Sequence, residues 1–106
     1  MRIEETIEKC SKWSRARNII KGSTKKDQLA KLIQEVGELS DNICKGKPYK
    51  DDIGDCFVVL NNLALQGEYT FAECAEHSYN DIKNRRGVMR DGIFIKESDL
   101  DGNLQE

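Results

Sequence analysis

At 106 residues the chain has the length of one domain, and its 38% hydrophobic and 34% charged residues make it surface-rich. A chain this short buries a modest fraction of its surface, so a helical version of it would leave apolar faces in need of a partner subunit. With a net charge of −2 nothing argues for a duplex nucleic-acid binder, no apolar run is long enough to cross a bilayer, and the acidic start Met1-Arg2-Ile3-Glu4-Glu5 lacks the order of a secretory signal, which leaves a cytoplasmic address as the expectation.

Four helical segments are expected, then a short extended piece. The first runs from about Arg2 to Ile19, with Ile3, Ile7, Cys10 and Trp13 near helical spacing, and Gly22-Ser23 breaks it. Ser23 or Thr24 can cap the second, which runs from about Lys25 to Lys45. Its apolar set is Leu29, Leu32, Ile33, Val36, Leu39 and Ile43, and Gly46 with the only proline, Pro48, ends it. The third runs from about Lys50 to Gln66, with Ile53, Cys56, Phe57, Leu60, Leu63 and Ala64 facing one way and Gly67 as the stop. Thr70-Phe71-Ala72-Glu73 matches a capping box for the fourth. That segment is expected to reach about Arg86 and to bury Phe71, Cys74, Ala75, Ile82 and Tyr79. Asp91-Gly92 between two apolar stretches predicts a β-hairpin over 87–96. Residues 97–106 read as a frayed acidic tail after a domain spanning 1–96.

Cys10, Cys44, Cys56 and Cys74 form no Cys-x-x-Cys pair. The expectation is reduced, small core residues rather than a zinc site or disulfides. His77, the sole histidine, reads as a surface residue.

The acidic pairs carry the chemistry. Glu35 and Glu38 are three apart, hence neighbours on one helix face. Gln28 and Lys31 precede them by two turns, so Gln28, Lys31, Glu35 and Glu38 line one edge beside the apolar stripe. Asp52 and Asp55 repeat the spacing on the third segment. If the two segments are antiparallel neighbours, four carboxylates converge at the seam. Such a cluster is tolerable mainly when cations neutralise it. The donors are all oxygen, which favours Mg²⁺ or Mn²⁺ over zinc and suits phosphoryl chemistry. A solvated acidic face is the alternative that this geometry leaves open.

The stretch Gln28-Leu29-Ala30-Lys31-Leu32-Ile33-Gln34-Glu35-Val36-Gly37-Glu38-Leu39, followed by Asp52-Ile53-Gly54-Asp55, resembles the Glu-x-x-Glu … Glu-x-x-Asp signature of the all-α nucleotide pyrophosphohydrolases. That superfamily includes MazG, the dimeric dUTPases and the phosphoribosyl-ATP pyrophosphohydrolases. Tyr79-Asn80-Asp81-Ile82-Lys83-Asn84-Arg85-Arg86-Gly87 and Met89-x-x-Gly92-x-Phe94-x-Lys96-x-x-Asp99 also look like a MazG-like member. The resemblance extends from about Trp13 to Leu100. Two positions depart from the pattern: Asp52 stands where the family usually has Glu, and Gln34 where many relatives carry Glu.

The resemblance implies an all-α bundle of four to five helices, completed by oligomerisation and followed by the hairpin. The homo-oligomer would be a dimer or a tetramer built from dimers. It implies Mg²⁺-dependent cleavage of a nucleoside triphosphate between the α and β phosphates, in the service of removing unwanted nucleotides. Glu35, Glu38, Asp52 and Asp55 would hold the metal. Gln34 cannot be a base, so water activation would fall to Glu38, Glu35 or the metal. Asn80, Lys83 and Arg86 read by spacing either as a phosphate clamp or as a basic helix end, and the resemblance favours the clamp. Trp13 with Arg17 can stack a base, or Trp13 can be core. The rivals are a dUTPase-like or phosphoribosyl-ATP specificity and a non-catalytic helical interaction module. A di-iron bundle would need Glu-x-x-His pairs, and the chain has none.

Overall fold

The computed structural model describes residues 1–104 and the side chains of residues 1–100. It is mostly helical, with one two-stranded antiparallel hairpin near the C-terminus. The chain forms two compact units, Met1–Cys74 and the part from Ala75 on.

The first unit opens with α1 (Ile3–Ala16), α2 (Ile19–Gly22), α3 (Lys25–Cys44) and α4 (Lys50–Gln66). The expected first segment is thus two helices. The break comes at Asn18, which adopts a left-handed φ of 58°, a conformation that Asn tolerates better than most residues. α3 begins on a full capping box: Asp27 N donates to Thr24 Oγ1 at 3.0 Å and Thr24 N donates to Asp27 Oδ2 at 2.9 Å. Gly67 follows α4 with an ordinary φ of −88°, and the left-handed turn falls on Glu68 instead. α4 is the centre of this unit, with α3 on one side and α1 and α2 also packed on it. The α3–α4 pair is antiparallel: Asn42 meets Asp52 near the connecting loop, and Gln28 meets Asn62 at the far end.

The packing departs from the expected core. Val59 and Ala64 are the buried hydrophobic side chains among the described residues. Leu32, Leu39, Phe57 and Leu63 are half-buried, whereas Leu29, Ile33, Val36, Ile43, Ile53 and Leu60 are exposed. Buried instead are Ser11, Ser14, Gln28, Glu35, Asp52, Asn61 and Asn62. Asn61 Nδ2 donates to Ser11 Oγ at 3.1 Å and ties α4 to α1. The four cysteines are free thiols, but Cys44 and Cys74 are exposed rather than core residues.

α5 (Phe71–Ile82) starts on the anticipated box, with Glu73 N donating to Thr70 Oγ1 at 3.0 Å. Phe71 meets Phe57 edge to face at 5.0 Å. The helix ends four residues earlier than expected from a limit near Arg86, because Lys83-Asn84 turn the chain into the hairpin. Cys74, Ala75, Tyr79 and Ile82, expected inside, are exposed.

In the second unit, β1 (Gly87–Arg90) and β2 (Ile93–Lys96) pair with Arg90 opposite Ile93. Asp91 and Gly92 both have positive φ, 51° and 81°, as a two-residue hairpin turn of matching twist requires. Gly87 is fixed by space, since a Cβ there would collide with the Ile95 carbonyl oxygen. The expected frayed tail is helical instead: α6 (Glu97–Leu104) packs on both strands. Glu97 and Asp99 in its first turn suit the helix dipole. Residues 105–106 of that tail lie outside the described residues.

Candidate metal and ligand site

The α3 stripe Gln28, Lys31, Glu35 and the α4 stripe Asp52, Asp55, Val59, Asn62 face each other across the seam. One carboxylate oxygen each from Glu35, Glu38 and Asp55 lies within 4.8 Å of the others. The cluster therefore has three members rather than the four expected. Asp52 is set apart: it is buried, and its Oδ2 accepts from Asn42 Nδ2 at 2.8 Å. The shorter side chain at this position reaches the Asn42 amide. Its charge still acts on Glu38 and Asp55.

The cluster is electrostatically strained. The Glu35 carboxylate, by its charge and then by a hydrogen bond, raises the proton affinity of Glu38, and Lys31 opposes this. Burial, followed by the charges of Asp51, Glu35 and Asp52, holds Asp55 above the usual carboxylate value. Lys31 Nζ lies 3.2 Å from Glu35 Oε1. Glu35 is 7% exposed, and its other oxygen, Oε2, is buried and accepts from no N–H or hydroxyl among the described residues. An acceptor left so is costly, and a divalent cation would satisfy it. Burial and the neighbouring carboxylates push the Cys56 thiol up. The grouped donors, from Glu35, Glu38 and Asp55, are all oxygen and fit a hard ion.

Beside this cluster a cavity of about 800 Å³ opens between the helices of the first unit. Its charged lining residues are Lys9, Lys31, Glu35 and Asp55. Its apolar lining includes Trp13, Ile19, Val58 and Val59. Gln28 and Asn62 supply neutral polar groups. Trp13 is 49% exposed, so it is not a core residue. Arg17 stacks on its ring at 4.1 Å from the centroid and also donates to the Trp13 carbonyl. Asn62 escaped sequence reasoning. Its signal was the spacing of Asp52, Asp55, Val59 and Asn62 on one face of α4.

Asn80, Lys83 and Arg86 belong to the second unit. Lys83 Nζ donates to Asn80 Oδ1 at 3.3 Å. The expected helical i+3 series is broken there, because α5 stops at Ile82 and Arg86 leads into β1. Arg86, Arg85 and Lys96 line a small hollow of about 400 Å³ together with the acidic Asp81 and Glu97. His77 is exposed, 3.7 Å from Asp81.

Among the described residues no helix is long and apolar enough to cross a membrane. No family model and no solved structure matches the chain. An uncharacterized 18.2 kDa protein from the rep–hol intergenic region of Haemophilus phage HP1 (strain HP1c1) is 42% identical over 66 residues. That match covers 60% of this chain and 40% of the phage protein, so the chain spans about two fifths of its relative's length.

Proposed function

We propose that the protein is a Mg²⁺-dependent nucleoside triphosphate pyrophosphohydrolase that cuts between the α and β phosphates. The observation that carries this reading is the cluster of Glu35, Glu38 and Asp55, with the donorless Glu35 Oε2, on the edge of a cavity large enough for a nucleoside. The choice of the α–β bond rests on the resemblance of the Glu-x-x-Glu and Asp-x-x-Asp motifs to the MazG-like enzymes.

Glu35, Glu38 and Asp55 would hold Mg²⁺ (or Mn²⁺), which neutralises phosphate charge, polarises phosphorus and acidifies water when bound. Asp52 adds negative charge behind them and is fixed by Asn42. Water attacks the α phosphorus in line, the bond to the bridging oxygen breaks, and pyrophosphate leaves a nucleoside monophosphate. Glu38, the exposed carboxylate of the cluster, accepts the proton that water loses, a role Gln34 cannot fill. Lys31, beside Glu35, offsets charge on the bound phosphates. Asn80, Lys83 and Arg86 are assigned to the leaving pyrophosphate on the strength of the resemblance. Trp13, with Arg17 stacked on it, is assigned to the base.

A homo-oligomer belongs to the same reading. Leu29, Ile33, Val36 and Ile43 fall on one face of α3 and are all about half exposed or more. A second copy would remove that stripe from water.

The test is incubation with each (d)NTP and Mg²⁺, with pyrophosphate and monophosphate quantified separately. Orthophosphate plus a diphosphate as products would contradict the cleavage site. No Mg²⁺-dependent turnover of any nucleotide, dUTP and phosphoribosyl-ATP included, would favour a non-catalytic helical interaction module.

A further inference from the structure

We propose that Asn62 is the specificity-determining residue of the cavity, and that it selects a planar heterocycle presenting an N–H donor. The proposal rests on the reading of this cavity as the place for the substrate's base.

The polarity of Asn62 follows from a chain of hydrogen bonds that begins at Ser23. A hydroxyl has one proton to give. Ser23 Oγ gives it to the Ile19 carbonyl oxygen at 2.6 Å. Ser23 Oγ can therefore only accept from its other neighbours, and it does so twice, from Gln28 Nε2 at 3.0 Å and Gln66 Nε2 at 3.1 Å. Gln28 must thus turn its nitrogen to Ser23 and its oxygen the other way. Gln28 Oε1 then accepts from Asn62 Nδ2 at 3.2 Å. This turns the carboxamide of Asn62 so that Oδ1 is the end left over. Flipping either amide would set two N–H groups or two oxygens face to face.

Asn62 is 4% exposed, lines the cavity, and its Oδ1 is buried with no hydrogen-bond partner among the described residues. Asn62 and Glu35 are the two residues lining the cavity that hold such an orphaned oxygen. The Glu35 oxygen belongs to the acidic cluster and suits a cation. The Asn62 oxygen is neutral, belongs to a residue that shares the cavity lining with Val58 and Val59, and suits an N–H group. Trp13, Ile19 and Val58 offer flat apolar contact for a ring. A ligand with a donor on its ring and anionic groups at its other end would satisfy both.

A site built to accept from a ligand N–H rejects an analogue lacking it strongly, because the buried acceptor is then left unpaired. Trp13 is the only tryptophan in the chain and lines the cavity, so its fluorescence reports occupancy. The experiment titrates the full chain with AMP, CMP, GMP and UMP without Mg²⁺. Each parent that binds is compared with its donor-deleted analogue: purine riboside, 2-pyrimidinone riboside or N3-methyluridine 5′-monophosphate, or for GMP the 1-methyl,2-dimethylamino derivative. The expected result is saturable quenching by at least one parent and about 10²-fold weaker binding of its analogue. Asn62→Leu should equalise the two. Equal binding of parent and analogue by the wild type overturns the proposal without any variant, as does quenching by none of the four. Discrimination that persists in a folded Asn62→Leu protein also overturns it. Discriminating binding without hydrolysis of any triphosphate would sink the proposed activity and leave this assignment standing. Hydrolysis without discrimination would do the reverse.

Discussion

The two faces of the α3–α4 pair differ in a way that inverts the usual expectation. The face that lines the cavity carries Gln28, Glu35 and Asn62, all buried. The outer face of α3 carries Leu29, Ile33, Val36 and Ile43, with Ile33 66% exposed. Buried polar groups are costly unless paired, and here the pairing is incomplete at Glu35 Oε2 and Asn62 Oδ1. Exposed apolar stripes of this length mark interaction surfaces. On the proposed reading, a ligand on the inner face would satisfy those two oxygens, and a second copy on the outer face would cover the stripe.

The sharpest way to break the comparison is on the inner face. Glu35→Gln or Glu38→Gln should lower Mg²⁺-dependent pyrophosphate release by about 10³-fold, since each removes a charge that the proposed mechanism needs in the transition state. Unchanged turnover in either variant would remove the acidic cluster from the mechanism.

On the outer face, Ile33→Glu should shift the protein from oligomer to monomer, measured by light scattering against concentration. A charge introduced into a covered apolar contact should weaken association by about 3 kcal/mol, on the order of 10²-fold. A wild-type protein that is monomeric at every concentration would show that the stripe does not pair with itself.

A smaller effect separates the faces by pH. Glu38 takes up its proton above the ordinary value of 4.5 because of Glu35, and Asp55 is also raised. A raised folded-state proton affinity contributes stability that is fully present below the ordinary value and is lost as pH rises through the raised one. Without divalent ions, thermal stability should therefore fall across that window. Mg²⁺ should restore it at neutral pH and do little below pH 4.5. Glu38→Gln should flatten both dependences, which differential scanning calorimetry with and without EDTA would record. An equal Mg²⁺ effect at pH 4 and pH 7 would dissociate the ion from these carboxylates.

The smallest change lies on neither face and sets the scale. Thr24→Ala removes the α3 capping box and should cost about 1 kcal/mol, a drop in Tm of roughly 5 °C. The Thr24 backbone N–H and hydroxyl lower the proton affinity of Asp27. That share of stability is present above the ordinary value of 3.8 and is lost as pH falls through the lowered one. A Thr24→Ala protein with unaltered Tm would mean that α3 does not depend on its cap.

Much of this was legible in the chain because it is written over short distances. The helix starts at Thr24 and Thr70, the stop after Gln66, the Asp91-Gly92 hairpin and the i, i+3 acidic pairs each depend on atoms within a turn of one another. Three features were not legible at that range. Asn18 ended α1 early, Asn42 drew Asp52 away from the other carboxylates, and the polarity of Asn62 was set by Ser23 through Gln28. The last two depend on partners 10 and 34 residues away. Periodicity identifies two faces on a helix, but which one turns inward is decided by what packs against it. In this protein α4 meets the polar edge of α3, and the apolar stripe remains outside.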